Sequence, residues 1–349
     1  MNAIQIGART AGPEHPCFVI AEAGVNHNGR VDLALKLIDA AAEAGADAVK
    51  FQTFKADKLV TASAPKAEYQ KKATGADESQ LEALARLELP EAAHQELMAH
   101  CSRRGIIFLS TPFEEGSADL LEKLGVSAFK LPSGEITNVP FLQHVARKGK
   151  PLIVSTGMST LGEVEAAVNA MQASGNSDII LLHCVSNYPA DPRDVNLRAM
   201  HTLEAAFGIP VGYSDHTLGN EVSFAAAALG ACVIEKHLTL DRKLPGLDHQ
   251  ASAEPQELAA LVMGIRKIES ARGTGIKRPA SSEANTADVA RKSLVAAEDL
   301  PAGSVLSEKL IAIRRPGTGL PPSFRQHILG RKLKHAVPAG ALIALDMLA

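Results

Sequence analysis

Eight short apolar runs in the first 240 residues each end in donors, acceptors or charges, and this repetition limits the possible folds more than any other feature of the chain. Val19-Ile20-Ala21 runs into Glu22, Ala48-Val49 into Lys50 and Gln52, Ile107-Phe108-Leu109 into Ser110 and Thr111, and Ala128-Phe129 into Lys130 and Ser133. Leu152-Ile153-Val154 meets Ser155 and Thr156, Ile179 to Leu182 meets His183, Pro210-Val211-Gly212 meets Ser214-Asp215-His216, and Cys232-Val233-Ile234 meets Glu235-Lys236-His237. Segments of helical period separate the runs, among them Val31 to Ala44, Pro90 to Arg104 and Glu114 to Leu124, each closed by Gly. Strand and helix alternating in this way mean parallel strands with helical crossovers. Eight units favour a closed (β/α)8 TIM barrel over an open doubly wound sheet, and a barrel gathers all eight polar ends at one face.

The 349 residues leave room for a barrel over 1–272 and a smaller piece after it. Residues 273–288 are rich in Gly, Ser, Ala and Thr without apolar period, so they read as a linker. From 289 to 349 short apolar pieces alternate with turns, and one turn occurs twice, as Leu300-Pro301-Ala302-Gly303 and Val337-Pro338-Ala339-Gly340. A two-fold internal repeat is expected there, in a unit small enough to need another surface to lean on. One barrel connection is anomalous: from Thr61 to about Gln80 the chain is polar and Ala-rich. It follows the second barrel strand, where a long loop reads as a lid.

A net charge of −3 provides no field for gathering nucleic acid or an anionic membrane surface. The longest apolar run, Phe224 to Ile234, is too short and too rich in Ala and Gly to span a bilayer. Cys17, Cys101, Cys184 and Cys232 show no paired spacing, which points to a reducing cytoplasm.

His216 and His237 close neighbouring strands, where two neutral imidazoles can hold a divalent cation with most of its coordination left open. Asp248 or Glu235 is placed to complete or orient that shell, and the plainer reading is two hydrogen-bonded histidines without metal. Lys50 and Lys130, amid Ser133, Ser155, Thr156, Ser214 and the backbone of Gly134 and Gly157, resemble a cradle for a phosphate plus a carboxylate. A lysine in such a barrel also serves as a Schiff base in aldol chemistry. Glu22 is a candidate general base or stabiliser of developing positive charge, and equally an ion-pair partner of Lys50. His183-Cys184 reads as a core pair rather than a nucleophile. Arg314-Arg315-Pro316-Gly317-Thr318-Gly319 places a guanidinium on a rigid turn, able to reach into a barrel mouth, its own or a partner's.

Taken together these stretches resemble the sialic acid synthase family, which makes nine-carbon nonulosonic acids from phosphoenolpyruvate and an N-acylated hexosamine. The resemblance is carried by Ala21-Glu22-Ala23-Gly24-Val25-Asn26-His27-Asn28-Gly29, Val49-Lys50-Phe51-Gln52-Thr53, Ser110-Thr111-Pro112-Phe113, Lys130-Leu131-Pro132-Ser133-Gly134-Glu135, Ser155-Thr156-Gly157-Met158, Ser214-Asp215-His216-Thr217 and Glu235-Lys236-His237. Residues from about 289 on, including Arg315-Pro316-Gly317, resemble the family's antifreeze-like (SAF) domain. The resemblance implies Mn2+ or Mg2+ on His216 and His237, and a homodimer in which each C-terminal domain covers the partner's site. It implies phosphoenolpyruvate held by Lys50, Thr111, Lys130, Ser133, Ser155 and Ser214, with Gln52, Tyr188, Asp248 and the partner's Arg315 facing the sugar. Glu22, Lys50 and Lys130 are the expected catalytic residues, with Glu22 facing the charge that develops at C2.

Ser186 stands where some N-acetylneuraminate synthases have Asn, and Ile136-Thr137-Asn138-Val139-Pro140 looks like legionaminate synthases. The sequence reading places N-acetylmannosamine first as acceptor, 2,4-diacetamido-2,4,6-trideoxymannose second and pseudaminate-type sugars third. A lysine-dependent aldolase is the rival enzyme, and a sugar-binding or coat protein without catalysis is the rival outside enzymes.

Overall fold

In the computed structural model, which describes residues 2–65 and 79–349, the chain divides into two compact units, Met1–Gly273 and Thr274–Ala349. The first opens with an antiparallel hairpin of β1 (Ile4–Ile6) and β2 (Arg9–Ala11). Eight strands follow: β3 (Phe18–Gly24), β4 (Ala48–Thr53), β5 (Ile107–Pro112), β6 (Phe129–Leu131), β7 (Leu152–Ser155), β8 (Ile179–Cys184), β9 (Val211–Asp215) and β10 (Val233–His237). They form one parallel sheet in the order β5-β4-β3-β10-β9-β8-β7-β6, and β5 and β6 adjoin at the seam, so the sheet curls into a TIM-type barrel. Helices follow each strand, and Gly105 and Gly125 end two of them in the left-handed conformation that the sequence pattern called for. The lid expected over 61–80 falls largely outside the described residues.

Side chains alternate between two cores, as the pleat requires. Phe18, Ile20, Ala48, Leu109, Ala128, Ile153, Ile180, Leu182 and Val233 point into the barrel, and the hairpin's Ile4, Ile6 and Ala11 pack against them. The hairpin closes the lower end of the barrel, a role that its six strand residues did not announce in the sequence. The intervening residues, among them Val19, Val49, Phe108, Phe129, Val154, Leu181, Tyr213 and Ile234, pack outward against the helices. The inward parity decides the site. Counting on by twos from the interior residues reaches Glu22, Lys50, Thr111, Lys130, Ser155, Ser214, Glu235 and His237.

In the second unit β11 (Ser293–Ala296) and β12 (Ile311–Arg314) pair antiparallel around Leu294, Leu300, Leu306, Ile328, Leu333, Val337 and Ile343. Its two Pro-Ala-Gly turns face each other: Leu300 N donates to Val337 O and Val337 N to Leu300 O, both at 2.8 Å. The pairing recurs outward, since Gly303 N donates to Leu333 O while Gly340 N donates to Ala296 O. The duplicated turn is therefore a pseudo-two-fold in the hydrogen bonding itself. The stretch 273–288, expected as linker throughout, carries a 3-10 turn at Ser281–Glu283 and the start of a helix at Ala284–Ala290. Ser, Asn and Thr hid that helix because it buries none of its residues and so leaves no apolar period.

Candidate active site

At the C-terminal ends of the strands lies one cavity of about 500 Å³. Twelve of the barrel residues singled out from the sequence line it: Glu22, Lys50, Gln52, Thr111, Lys130, Ser133, Ser155, Tyr188, Ser214, His216, His237 and Asp248, whereas Thr156 and Gly157, also expected in the anion cradle, are not among its lining residues. Arg315 lies in the second unit.

The register of the sheet builds the site's charge pattern. Glu22 sits opposite Lys50 on β4 and opposite His237 on β10, and Glu235 sits opposite Ser214 on β9. Lys50 Nζ lies 2.9 Å from Glu22 Oε2 and 3.6 Å from Glu235 Oε2, and donates to Thr111 Oγ1 at 3.0 Å. Lys130 Nζ donates to Ser155 Oγ at 2.7 Å and lies 3.7 Å from Glu235 Oε1, which also accepts from Ser214 Oγ. Two ammonium groups and two carboxylates thus alternate in a space where all four are nearly fully buried.

Glu235 was read from the sequence only as a possible partner of the metal shell. The structure puts it at the centre, between the two lysines. The signal available was parity, because in Glu235-Lys236-His237 the outer two residues share the inward face and Lys236 points away.

Burial and neighbouring charge set the protonation of these groups. Burial pushes the Glu22 carboxyl up to about 7, against the pull of Lys50. Burial also disfavours charge on Glu235, but Lys130 and Lys50 outweigh it and hold that carboxyl down at about 2. Lys50 keeps its proton more firmly than a free lysine, since Glu22 and Glu235 overcome its burial, while burial shifts Lys130 downward. The difference between the lysines follows from place: Lys50 sits between two carboxylates and Lys130 beside one.

His216 and His237 stand side by side, ring centres 5.5 Å apart, with the Tyr188 ring centred 4.2 Å from His216 and tilted 40° to it. Burial lowers both imidazole pKa values, and for His237 the neighbouring His216 adds to it, so both rings are neutral. His216 Nδ1 lies 2.6 Å from Val185 O, which assigns it the proton and leaves Nε2 as a free lone pair. His237 Nδ1 is buried with no hydrogen-bond partner among the described residues, and Asp248 Oδ2 lies 3.9 Å from it. Neutral imidazoles with an unsatisfied buried nitrogen suit a divalent cation. Among the described residues no group of three or more His, Cys, Asp or Glu is arranged to hold a metal ion.

Behind the histidines runs a layer that sequence reasoning passed over. Lys236, fully buried, reaches Asp215 Oδ2 at 2.8 Å, Thr217 O at 2.6 Å and Gly219 O at 2.8 Å. Asp215 also accepts from Tyr213, Thr217 and Ser223. This network ties β9, β10 and the turn after His216 together.

On the anion side, Gly157 N donates to Ser133 Oγ at 2.9 Å, and a Cβ on Gly157 would overlap Ser133 Oγ and Ser186 Oγ. Cys184 is buried, as expected, with its sulfur 3.2 Å from Ser133 Oγ, whereas His183, expected in the core, is half-buried with its Nε2 2.6 Å from Val195 O.

Residues 37–277 match the NeuB family, and residues 291–349 match the SAF domain. The chain belongs to the NeuB family. Among similar NeuB proteins, the N,N'-diacetyllegionaminic acid synthase of Campylobacter jejuni is 51% identical over 90% of this chain and 95% of its own. The enzyme of the same name from Legionella pneumophila is 50% identical over 97% and 96%. The crystal structure of an N-acetylneuraminic acid (sialic acid) synthetase from Leptospira borgpetersenii superposes with a TM-score of 0.73 at 36% identity, covering 82% of this chain and 95% of that one. The chain is thus a nonulosonic acid synthase by family, with the barrel and SAF domain that its motifs implied. Among the described residues no helix is long and apolar enough to cross a membrane.

Proposed function

We propose that this NeuB chain condenses phosphoenolpyruvate with a 2,4-diacetamido-2,4,6-trideoxymannose-type sugar, giving a diacetylated nonulosonic acid and inorganic phosphate. The observation that carries the reaction is the single cavity in which Lys50, Lys130, Glu22, Glu235 and the two histidines meet. The acceptor is supported by relatives: two proteins named for diacetyllegionaminic acid are 51% and 50% identical, against 36% for the sialic acid synthetase of known structure. That reverses the order drawn from Ser186 and its neighbours, which placed N-acetylmannosamine first; pseudaminate-type sugars stay third.

In this reading Lys50 and Lys130, with Thr111, Ser133, Ser155 and Ser214, hold the phosphate and carboxylate of phosphoenolpyruvate. Its C3 attacks the aldehyde carbon of the open-chain sugar, forming the new carbon–carbon bond and leaving positive charge at C2. Glu22 faces that charge and takes a proton from the water that adds at C2. The tetrahedral intermediate then expels phosphate by C–O cleavage, and the former aldehyde oxygen ends protonated as a hydroxyl. His216 and His237 hold Mn2+ or Mg2+, whose role when bound is to polarise the acceptor's carbonyl as a Lewis acid. Gln52, Tyr188, Asp248 and Arg315 of a second copy's SAF domain face the sugar in a homodimer.

Phosphate release from phosphoenolpyruvate, run side by side with the diacetamido sugar, N-acetylmannosamine and the pseudaminate-type acceptor, tests the reading. Fastest release with the first is expected. Fastest release with N-acetylmannosamine would refute the acceptor, and a lysine adduct trapped by borohydride would refute the mechanism in favour of the aldolase. No release with any sugar would return the chain to the class of sugar-binding or coat proteins.

A further inference from the structure

Part of the same cavity is walled by side chains that the reaction does not use. Val25, Leu59, Val60, Leu84, Phe113 and Leu247 line it, supplied by the segments after β3, β4, β5 and β10. They belong to one apolar cluster with Phe54 and Ala56, separate from both barrel cores, in which Phe54 and Phe113 meet edge to face. Among the described lining residues that the segments after β3, β4 and β5 supply, Gln80 is the one polar side chain. The wall adjoins polar groups at both ends, since Leu247 precedes Asp248 and Val25 follows the strand of Glu22.

An apolar wall inside a polar cavity selects by what it leaves unpaired. A methyl group buried there loses nothing, whereas a hydroxyl loses its water without gaining a partner. N-acetylmannosamine carries a hydroxymethyl group at C5, and the trideoxy sugar carries a methyl there and a second acetamido methyl besides. We infer that Val25, Leu59, Val60, Leu84, Phe113 and Leu247 form the subsite for the acceptor's 6-deoxy methyl group and set the preference against a 6-hydroxyl. The inference rests on the proposed acceptor and assigns its discrimination to named residues. Apolar pockets of this kind separate substrates by tens to a few hundredfold, not more.

The test compares N-acetylmannosamine, its 6-deoxy analogue and the diacetamido sugar in the full-length enzyme and in Val60→Thr, Leu59→Gln and the double variant. Both positions are half-buried, so the substitutions add polarity with little demand on the core. In the unaltered enzyme kcat/KM for the 6-deoxy analogue is expected to exceed that for N-acetylmannosamine by about ten- to a hundredfold. The double variant should bring the two within a few-fold of each other, with KM for phosphoenolpyruvate unchanged. A ratio near one in the unaltered enzyme overturns the inference, and so does a ratio that the variants leave intact while they stay active. If the diacetamido sugar is still the better acceptor in either case, the proposed function stands and only the wall's role falls. No turnover with any of the three sugars would overturn both. Should the variants fail to fold, the two ratios measured on the unaltered enzyme decide.

Discussion

Replacing Lys236 by Met removes the ammonium group from the layer behind the histidines while keeping most of the stem's volume. Lys236 and Asp215 are both almost wholly buried, so neither group can turn to water once its partner is gone. Breaking a buried pair from one side costs about 3–5 kcal/mol. Here Asp215 keeps the hydroxyls of Tyr213, Thr217 and Ser223 and the amide of Thr217, which temper its isolation. Against that, Thr217 O and Gly219 O lose a charged donor, at roughly 1 kcal/mol or more each. A loss of about 4 kcal/mol is expected, a fall in melting temperature on the order of 10 °C for a unit of this size. Calorimetric melting of the variant, of Asp215→Asn and of the double variant measures it. The double variant should be more stable than the sum of the single losses by about 1–3 kcal/mol, because the pair is one interaction. Losses below about 1 kcal/mol, or strict additivity, would refute the view that Lys236 anchors the turn after His216.

The barrel and most of its site could be read from the chain because both depend on local patterns. Apolar runs of strand length, Gly at helix ends and polar residues just past each run are properties of contiguous residues, and they pointed to Lys50, Lys130, His216 and His237, which the structure brings to one cavity. What escaped depends on pairing. Glu235 gains its central position only when β10 lies between β3 and β9, with Ser214 opposite and both lysines within reach. The same three letters, Glu235-Lys236-His237, hold a site carboxylate, a structural cation and a neutral imidazole, and only the alternation of inward and outward faces separates them. The β1–β2 hairpin escaped for another reason: three-residue strands are too short to show a period, and the hairpin's burial comes from the barrel end that it closes. The duplicated turn of the second unit was legible because repetition needs no knowledge of contacts.

Stripping divalent metal with a chelator should abolish phosphate release, with Mn2+ or Mg2+ restoring it, and activity that survives chelation in full would remove the cation from the mechanism. Glu22→Gln should lose turnover by about two to four orders of magnitude while phosphoenolpyruvate still binds by calorimetry, and a near-normal rate would take Glu22 out of its role. Gly157→Ala pushes Ser133 and Ser186 aside, so KM for phosphoenolpyruvate should rise about ten- to a hundredfold; an unchanged KM would mean that the cradle is not where the anion sits. His27 is fully buried, and burial, with the nearby His94 and His249, lowers its pKa to about 4. The unfolded chain therefore binds the proton first, and stability should fall as pH drops from about 6.5 toward about 4, by up to roughly 3 kcal/mol for this residue; His27→Gln should flatten the fall. The swapped homodimer is tested by mixing two inactive proteins, Glu22→Gln and Arg315→Ala, after dissociation and reassembly. If Arg315 serves the partner's barrel, half of the reassembled dimers are mixed, and in each of these the Arg315→Ala barrel receives an intact arginine, which restores about a quarter of normal activity. If Arg315 serves its own barrel, the Glu22→Gln chain keeps its arginine for a dead site and the Arg315→Ala chain lacks one for a live site, so mixing restores nothing.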